Sequence, residues 1–183
     1  VTSLPLIFAE SFGLEGGGSP ALERLEQRYI VQPIGVTDAA SLKGQRLLLM
    51  AHPRAQPAEA LVELDRWVRD GGHVLLLADP KLEWPSERPL GDRLRPPPAF
   101  ADTGLLQHWG LELEAPAIDS PVTVGRLTGS GRCRIFRDGL VAHCRIGRGE
   151  ARVIADADFL DTEENDDGRL DLLVAELAQL ESR

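Results

Sequence analysis

Lysine is almost absent from this chain: Lys43 and Lys81 are the only two, and the remaining basic charge is arginine. Neither lysine sits in a Gly-rich loop before a helix, so a Walker-type phosphate site is excluded. Aromatic residues make up only 5%, with a single Tyr and a single Met. No apolar stretch approaches the ~20 residues a membrane-spanning helix needs; the run near the start, Leu4 to Ala9, is far shorter. Neither a membrane segment nor a signal peptide is read in the chain, which starts at Val1, as a processed or trimmed form would. Acidic residues outnumber basic ones by 29 to 20, giving a net charge of -9. No linear segment gathers the Lys/Arg stripe that would neutralise phosphates, so nucleic acid is not an expected partner.

Cysteine is nearly as scarce, and the two present are placed tellingly in CRIFRDGLVAHC. Asp138-Gly139 suits a two-residue type I′ turn between strand-like runs. Counting outward sets Arg137 opposite Leu140 and Cys133 opposite Cys144, at what the count makes a hydrogen-bonded position. Opposed Cα atoms lie within disulfide reach. The pair is either a cross-strand disulfide or two small buried thiols.

What is abundant is hydrophobic residue, at 43%, in a chain of 183 residues, enough for one proper core. We expect a single α/β domain over 1–183. Ser3 to Ala9 reads as a buried strand, and Ser19-Pro20 opens a helix as N-cap and first helical residue. Ile30 to Ile34 reads as a short strand, and Asp38 to Leu42 as a turn or short helix. Arg46 to Ala51 and His73 to Ala78 are continuous apolar strands around an amphipathic helix, Pro57 to Asp70, closed by Gly71-Gly72. Such strands imply a mainly parallel sheet covered on both faces.

Residues 81–99 hold five of the thirteen prolines and are expected to form a long ordered flap. A short helix near Asp102 to Trp109, β-like segments at Leu111 to Glu114 and Val122 to Leu127, and a hairpin extension at 130–146 follow. Ala151 to Ala155 returns as strand before a last helix from about Asp166. The fold class expected is a three-layer α/β sandwich with a flavodoxin- or amidotransferase-like sheet and an antiparallel hairpin extension.

Ligands of open α/β sheets sit beyond the carboxyl ends of the strands. The residues leaving the strands are Glu10 and Ser11, His52, Asp79, and Asp156 and Asp158, and these are the ligand-binding candidates. They are equally suited to capping helices and binding loop amides. The acidic run DADFLDTEENDDG, with eight acidic or amide residues in thirteen, fails as an EF-hand in registers counted from Asp156 and from Asp161. Its later carboxylates read as a solvated helix mouth, with Asp166 or Asp167 as cap. No metal or cofactor is expected. GGGSPA at Gly16 to Ala21 matches G-x-G-x-x-A but lies too far beyond its strand for a dinucleotide turn. No G-x-S-x-G elbow exists, and the four histidines lack ligand spacing. Trp67 reads as core, and Trp84 and Trp109 as core or as the lining of a binding surface.

RLLLMAHPRAQPAEALVELDRWVRDGGHVLLLADP resembles the gliding-motility-type ABC-transporter auxiliary domain: strand, proline-containing loop, helix ending in Gly-Gly, strand ending in Asp-Pro. GRGEARVIADADFLDTEENDDGRLDLLVAEL is similar to its closing segment, and PLGDRLRPPPAFADTGLLQHWGLEL to the region between. The resemblance covers Arg46 to Pro80 and Gly147 to Leu180 most closely. It implies a class I glutamine amidotransferase-like fold, generally without the catalytic cysteine, in an extracytoplasmic part of a transport system. Here Asp79-Pro80 is followed by no nucleophile, and Asp167-Gly168-Arg169 stands where the family usually has asparagine. The resemblance thus implies a noncatalytic binding or assembly module whose partners are transporter permease and ATPase components, with an unknown small-molecule ligand. The alternatives are a hydrolase or transferase using the strand-end carboxylates, with Asp79 or Asp158 as base and His52 as partner, or a sugar- or nucleotide-binding protein.

Overall fold

The computed structural model describes residues 1–7, 18–162 and 167–182. Among these residues seven strands form two sheets: β1 (Leu47–Ala51), β2 (His73–Leu77), β3 (Leu111–Glu114), β4 (Arg126–Gly129), β5 (Cys133–Phe136), β6 (Val141–Ile146) and β7 (Gly149–Ile154). The main sheet has the order β1-β2-β7-β6-β5, and β3 pairs with β4 in a separate antiparallel ribbon. The pairs β1–β2 and β2–β7 are parallel, while β6 runs antiparallel to both its neighbours. Four of the five strands therefore point one way. The helices are α1 (Pro20–Glu26), α2 (Ala39–Leu42), α3 (Ala58–Arg69), α4 (Leu105–Trp109) and α5 (Asp167–Glu181).

Strand alternation divides the apolar residues between the two faces of the sheet. Val74 and Leu76 of β2 pack with Leu64 and Val68 of α3 and with Trp109. Leu75 and Leu77 pack with Leu25 of α1 and with Leu173 and Leu177 of α5. Both faces of β2 are thus dry, which explains why its sequence is an unbroken apolar run. The turn into β7 demands glycine, because a Cβ on Gly149 would lie 2.1 Å from the Gly72 carbonyl oxygen.

One polar cluster interrupts this core. Arg152 of β7 is fully buried, and its Nε donates to Glu150 (2.9 Å) while Nη1 donates to Glu176 (2.6 Å) and Gln179 (3.1 Å) of α5. A guanidinium survives burial only when its donors find carboxylates, and this one joins β7 to α5.

Among the described residues, neither of the expected strands at Ser3 to Ala9 and Ile30 to Ile34 is seen. Over the described part of Ser3 to Ala9 the chain bends: Pro5 lacks a donor, and the Leu6 amide folds back onto the Leu4 carbonyl at 2.8 Å. The attachment to the sheet lies just before it: Thr2 bridges beside Ala51, with Val1 N donating to Leu49 O at 2.8 Å and Val1 O accepting from Ala51 N at 2.9 Å. Residues 30–34 carry no strand either, because Pro33 interrupts the ladder and Ile30 points wholly into solvent. The segment expected at Val122 to Leu127 forms its strand later, as β4. Ser19 caps α1 by accepting from the Leu22 amide at 3.2 Å, and Asp38 caps α2 through the Ser41 amide at 2.8 Å. Of the two caps expected for the last helix, Asp166 lies outside the described residues, and the helix opens at Asp167.

The hairpin turns at Asp138 and Gly139, both with positive φ (54° and 102°), and Leu140 donates to the Arg137 carbonyl at 3.0 Å. Cys133 stands opposite Cys144 with Cα atoms 4.0 Å apart, and the two are joined in a disulfide. Their position differs from the expected one. The Arg145 amide donates to the Arg132 carbonyl at 3.1 Å, so the adjacent cysteine pair occupies a non-hydrogen-bonded site. The parity changes because Arg137 itself leaves the extended region, with φ 53°.

Candidate functional site

Adjacent parallel strands end side by side, so β1, β2 and β7 deliver His52, Asp79 and Asp156 to one edge of the sheet. A 3-10 turn at Asp158–Leu160 follows β7 and adds Asp158. The carboxylate oxygens of Asp79, Asp156 and Asp158 come within 4.8 Å of one another. These three are, among the described residues, the acidic group close enough to share a cation. Glu10 and Ser11, the other two candidates, lie outside the described residues.

Each carboxylate holds a backbone amide. Asp79, almost fully buried, accepts from Lys81 N at 2.8 Å through Oδ1 and from Ala157 N at 2.9 Å through Oδ2. It ties the exit of β2 to the exit of β7. Asp158 accepts from the Glu83 amide at 2.9 Å, and Asp156 accepts from the Asp158 amide at the same distance. Packing three acids together carries an electrostatic cost. Burial, then the charge of Asp79, raises the Asp158 carboxyl to about 6, and the same two causes raise Asp156.

His52 is not placed as an acid–base partner. Its Nε2 donates to the Pro97 carbonyl at 2.9 Å, which fixes the tautomer, since a carbonyl can only accept. Burial, outweighing the pull of Pro97 and Asp79, lowers its pKa and keeps the ring neutral. Nδ1 has no partner among the described residues. The backbone at His52 takes φ 44°, an unusual value for a residue with a side chain.

What these groups grip is the proline-rich segment after β2. Leu82 N donates to Pro98 O (2.9 Å) and Phe100 N to Asp79 O (2.7 Å), closing the base of the flap. His52 and Asp158 hold it from the strand ends. Arg54 reaches farther, donating from Nη2 to the carbonyls of Arg93 (2.7 Å) and Arg95 (2.5 Å). Sequence reading missed Arg54, although its place three residues past the end of β1 was the available signal. It missed Gly125 too, whose amide donates to Ala155 O at 2.8 Å and whose missing side chain leaves room for Pro80. The tryptophans divide: Trp109 is buried among core residues with its Nε1 donating to Asp65 at 3.0 Å, while Trp84, next to the Glu83 whose amide Asp158 holds, packs against the cluster that includes Ala157, Phe159 and Leu160.

No family model matches the chain, and no curated protein sequence does. Its fold is similar to that of solved structures at low identity. One is the mmIFT52 N-terminal domain, with a TM-score of 0.57 at 14% identity over 86% of this chain and 88% of that one. Another is the exo-beta-1,4-mannosidase Op5Man5 from Opitutaceae bacterium strain TAV5, with a TM-score of 0.53 at 15% identity. That match covers 98% of this chain but only 35% of the mannosidase. At such identities the likeness speaks for the mixed α/β fold alone. No helix among the described residues is long and apolar enough to cross a membrane.

Proposed function

We propose that this chain is a noncatalytic binding or assembly module of an ABC-type transport system, working outside the cytoplasm, with permease or ATPase components as partners. One observation carries the noncatalytic part. The strand-end carboxylates are engaged with backbone amides of the flap and of the β7 exit, and His52 is engaged with Pro97. Asp79 spends both its oxygens and His52 its Nε2 proton in this way, and Asp156 and Asp158 each spend Oδ1, which supports an edge that fastens loops over one built around a general base. The residue after Asp79 is Pro80, so the nucleophile that an amidotransferase carries at this point is missing. A Cys133–Cys144 disulfide suits an oxidising compartment. The finer fold reading belongs to the same proposal: two apolar clusters on opposite faces of the sheet support a three-layer sandwich of flavodoxin or amidotransferase type. Affinity capture of the tagged full-length protein from solubilised native membranes, read by mass spectrometry, tests it. Permease or ATPase subunits are expected, and their absence from a capture that recovers the bait intact rejects the proposal.

A second reading has one observation in its favour, the gathering of Asp79, Asp156 and Asp158 within 4.8 Å. Carboxylates this close hold protons at different strengths, as acid and base in a hydrolase or transferase do. A thermal-shift screen of sugars, nucleotides and divalent cations separates the readings. A stabilising ligand whose effect vanishes in Asp158→Asn favours a carboxylate site, while a ligand indifferent to that change points to a binding protein of another geometry.

A further inference from the structure

A different face carries an unspent charge. Between Gly131 and Arg148 the chain has five arginines against one aspartate, within a protein of net charge -9. Alternation along β5 and β6 turns Cys133, Ile135, Ala142 and Cys144 toward the α3 side of the core. Arg132, Arg134 and Phe136, with His143 and Arg145 across the ladder, therefore share the opposite face. Helix α5 covers this face over β2 and β7, where Leu177 meets Leu75 and Ile154, and its Glu176 takes up Arg152. Over β5 and β6 the face is open: Arg132, Arg134 and Arg145 are exposed, Phe136 is 43% exposed, and together they line a shallow concavity of about 690 Å3.

The arrangement is unfavourable as it stands. Arg132 and Arg145 are directly opposed, joined by the backbone bond between them, and like charges in that relation destabilise a ladder. Glu150 stands opposite Arg145 on β7 and offsets part of this repulsion, with one of its oxygens also accepting from Arg152 at 2.9 Å. Among the described residues none of the three exposed arginines forms an ion pair. A neutral or acidic residue at 132 or 145 would remove the repulsion, so the cost points to something anionic that comes between them.

We propose that this open half of the sheet docks an extended acidic segment of a partner polypeptide, with carboxylates at alternate positions and an apolar residue beyond them. Spacing carries the assignment. Arg132, Arg134 and Phe136 recur every second residue, roughly 6.8 Å apart, and an extended chain places its own alternate side chains at the same interval. Two guanidinium groups then meet two carboxylates in forked pairs, and the Phe136 ring, resting on His143 with centroids 4.6 Å apart, receives the apolar residue. Nucleic acid and anionic membrane fit less well, because both extend past the patch onto a surface whose net charge repels them. The arginine end of the patch is level with the amino end of β7, where Arg145 pairs with Glu150, and Phe136 is level with Ile154 at the other end of that strand, two strands out from it. The proposal goes beyond the transporter reading, and can fail while that reading stands.

The experiment titrates the purified chain into a labelled peptide, Gly-Glu-Gly-Glu-Gly-Phe-Gly, and follows fluorescence anisotropy. Parallel arms use a single-stranded oligonucleotide and phosphatidylglycerol vesicles. Saturable peptide binding is expected, weakening with salt, and reduced about tenfold or more in the Arg132→Glu/Arg145→Glu double variant. Arg137→Glu, which changes charge on the turn but off this face, keeps wild-type affinity, and circular dichroism shows that both variants are folded. The proposal is overturned by absence of peptide binding, by equal binding in the double variant, by an equal loss in Arg137→Glu, or by tighter binding of the oligonucleotide or the vesicles. Should the double variant fail to fold, Arg134→Gln takes its place, with a smaller loss expected and no loss counting against the proposal.

Discussion

At the scale of single residues, Asp158 is where structure and charge conflict most. Burial and the neighbouring Asp79 raise its carboxyl to about 6, so the folded chain holds a proton that the unfolded chain releases near its ordinary value of 3.8. As pH rises from about 4 to 6 the unfolded state loses that proton first, and stability falls across this window before levelling off above it. Asp156, raised for the same reasons, acts in the same direction. Replacing Asp158 with asparagine keeps the oxygen that accepts from Glu83 and removes the charge. Solvent at this half-buried site screens part of the effect. The variant is expected to melt about 2–4 °C above wild type at pH 7.5, roughly what 1 kcal/mol produces in a chain of this size, with the gap closing by pH 4. Differential scanning fluorimetry across that range checks it; a gap of equal size at pH 4 would assign the gain to something other than ionisation. Asp79, Asp156 and Asp158 were legible because strand ends in a parallel sheet lie together. Arg152 was not, because alternating position alone does not reveal that Glu176, 24 residues later, arrives to neutralise it.

At the scale of elements, the hairpin was readable down to its register, since Asp138-Gly139 permits few turns and register follows from the turn. Its hydrogen-bond parity was not readable, because nothing in the sequence announces that Arg137 adopts a positive φ. Strands built from unbroken apolar runs were equally plain. Those read at Ser3 to Ala9 and Ile30 to Ile34 had the composition of strands but a proline inside each, and the missing donors decided against pairing in the residues described. The disulfide belongs to this scale, for it closes a loop of about a dozen residues. Loop-closure entropy sets its contribution at about 3 kcal/mol. Cys133→Ala/Cys144→Ala should lower unfolding stability by about that amount in urea titration, with the far-UV spectrum retained. Under denaturing conditions without reductant the wild-type cysteines should resist iodoacetamide, and after reduction both should react. Two alkylated thiols before reduction would remove the bond.

At the scale of the whole molecule, the sheet and the flap behave as parts of different stability, with Asp79 at the junction between them. β2 and β7 are flanked by strands on both sides and buried on both faces, so their amides open only with the sheet as a whole. The flap, by contrast, is a proline-rich loop held at its base and reached by Arg54, His52 and Asp158. Asp79 sits at the junction, its two oxygens shared between the amide of Lys81 on the flap side and that of Ala157 on the β7 side. Asparagine has the same shape but a single acceptor, so Asp79→Asn must leave one of those amides facing an NH2 group. An unsatisfied buried donor costs about 1–3 kcal/mol, and here the loss falls on loops that can move to recover water. Hydrogen exchange read by mass spectrometry should therefore show Asp79→Asn speeding exchange over residues 79–100 and 155–160, while peptides from β2 and β7 keep wild-type rates. If the central strands accelerate in step with the loops, flap and sheet form one cooperative unit and Asp79 supports the core itself. If neither changes, the two amides are satisfied without Asp79, and the carboxylate is free for the chemistry that the second reading requires.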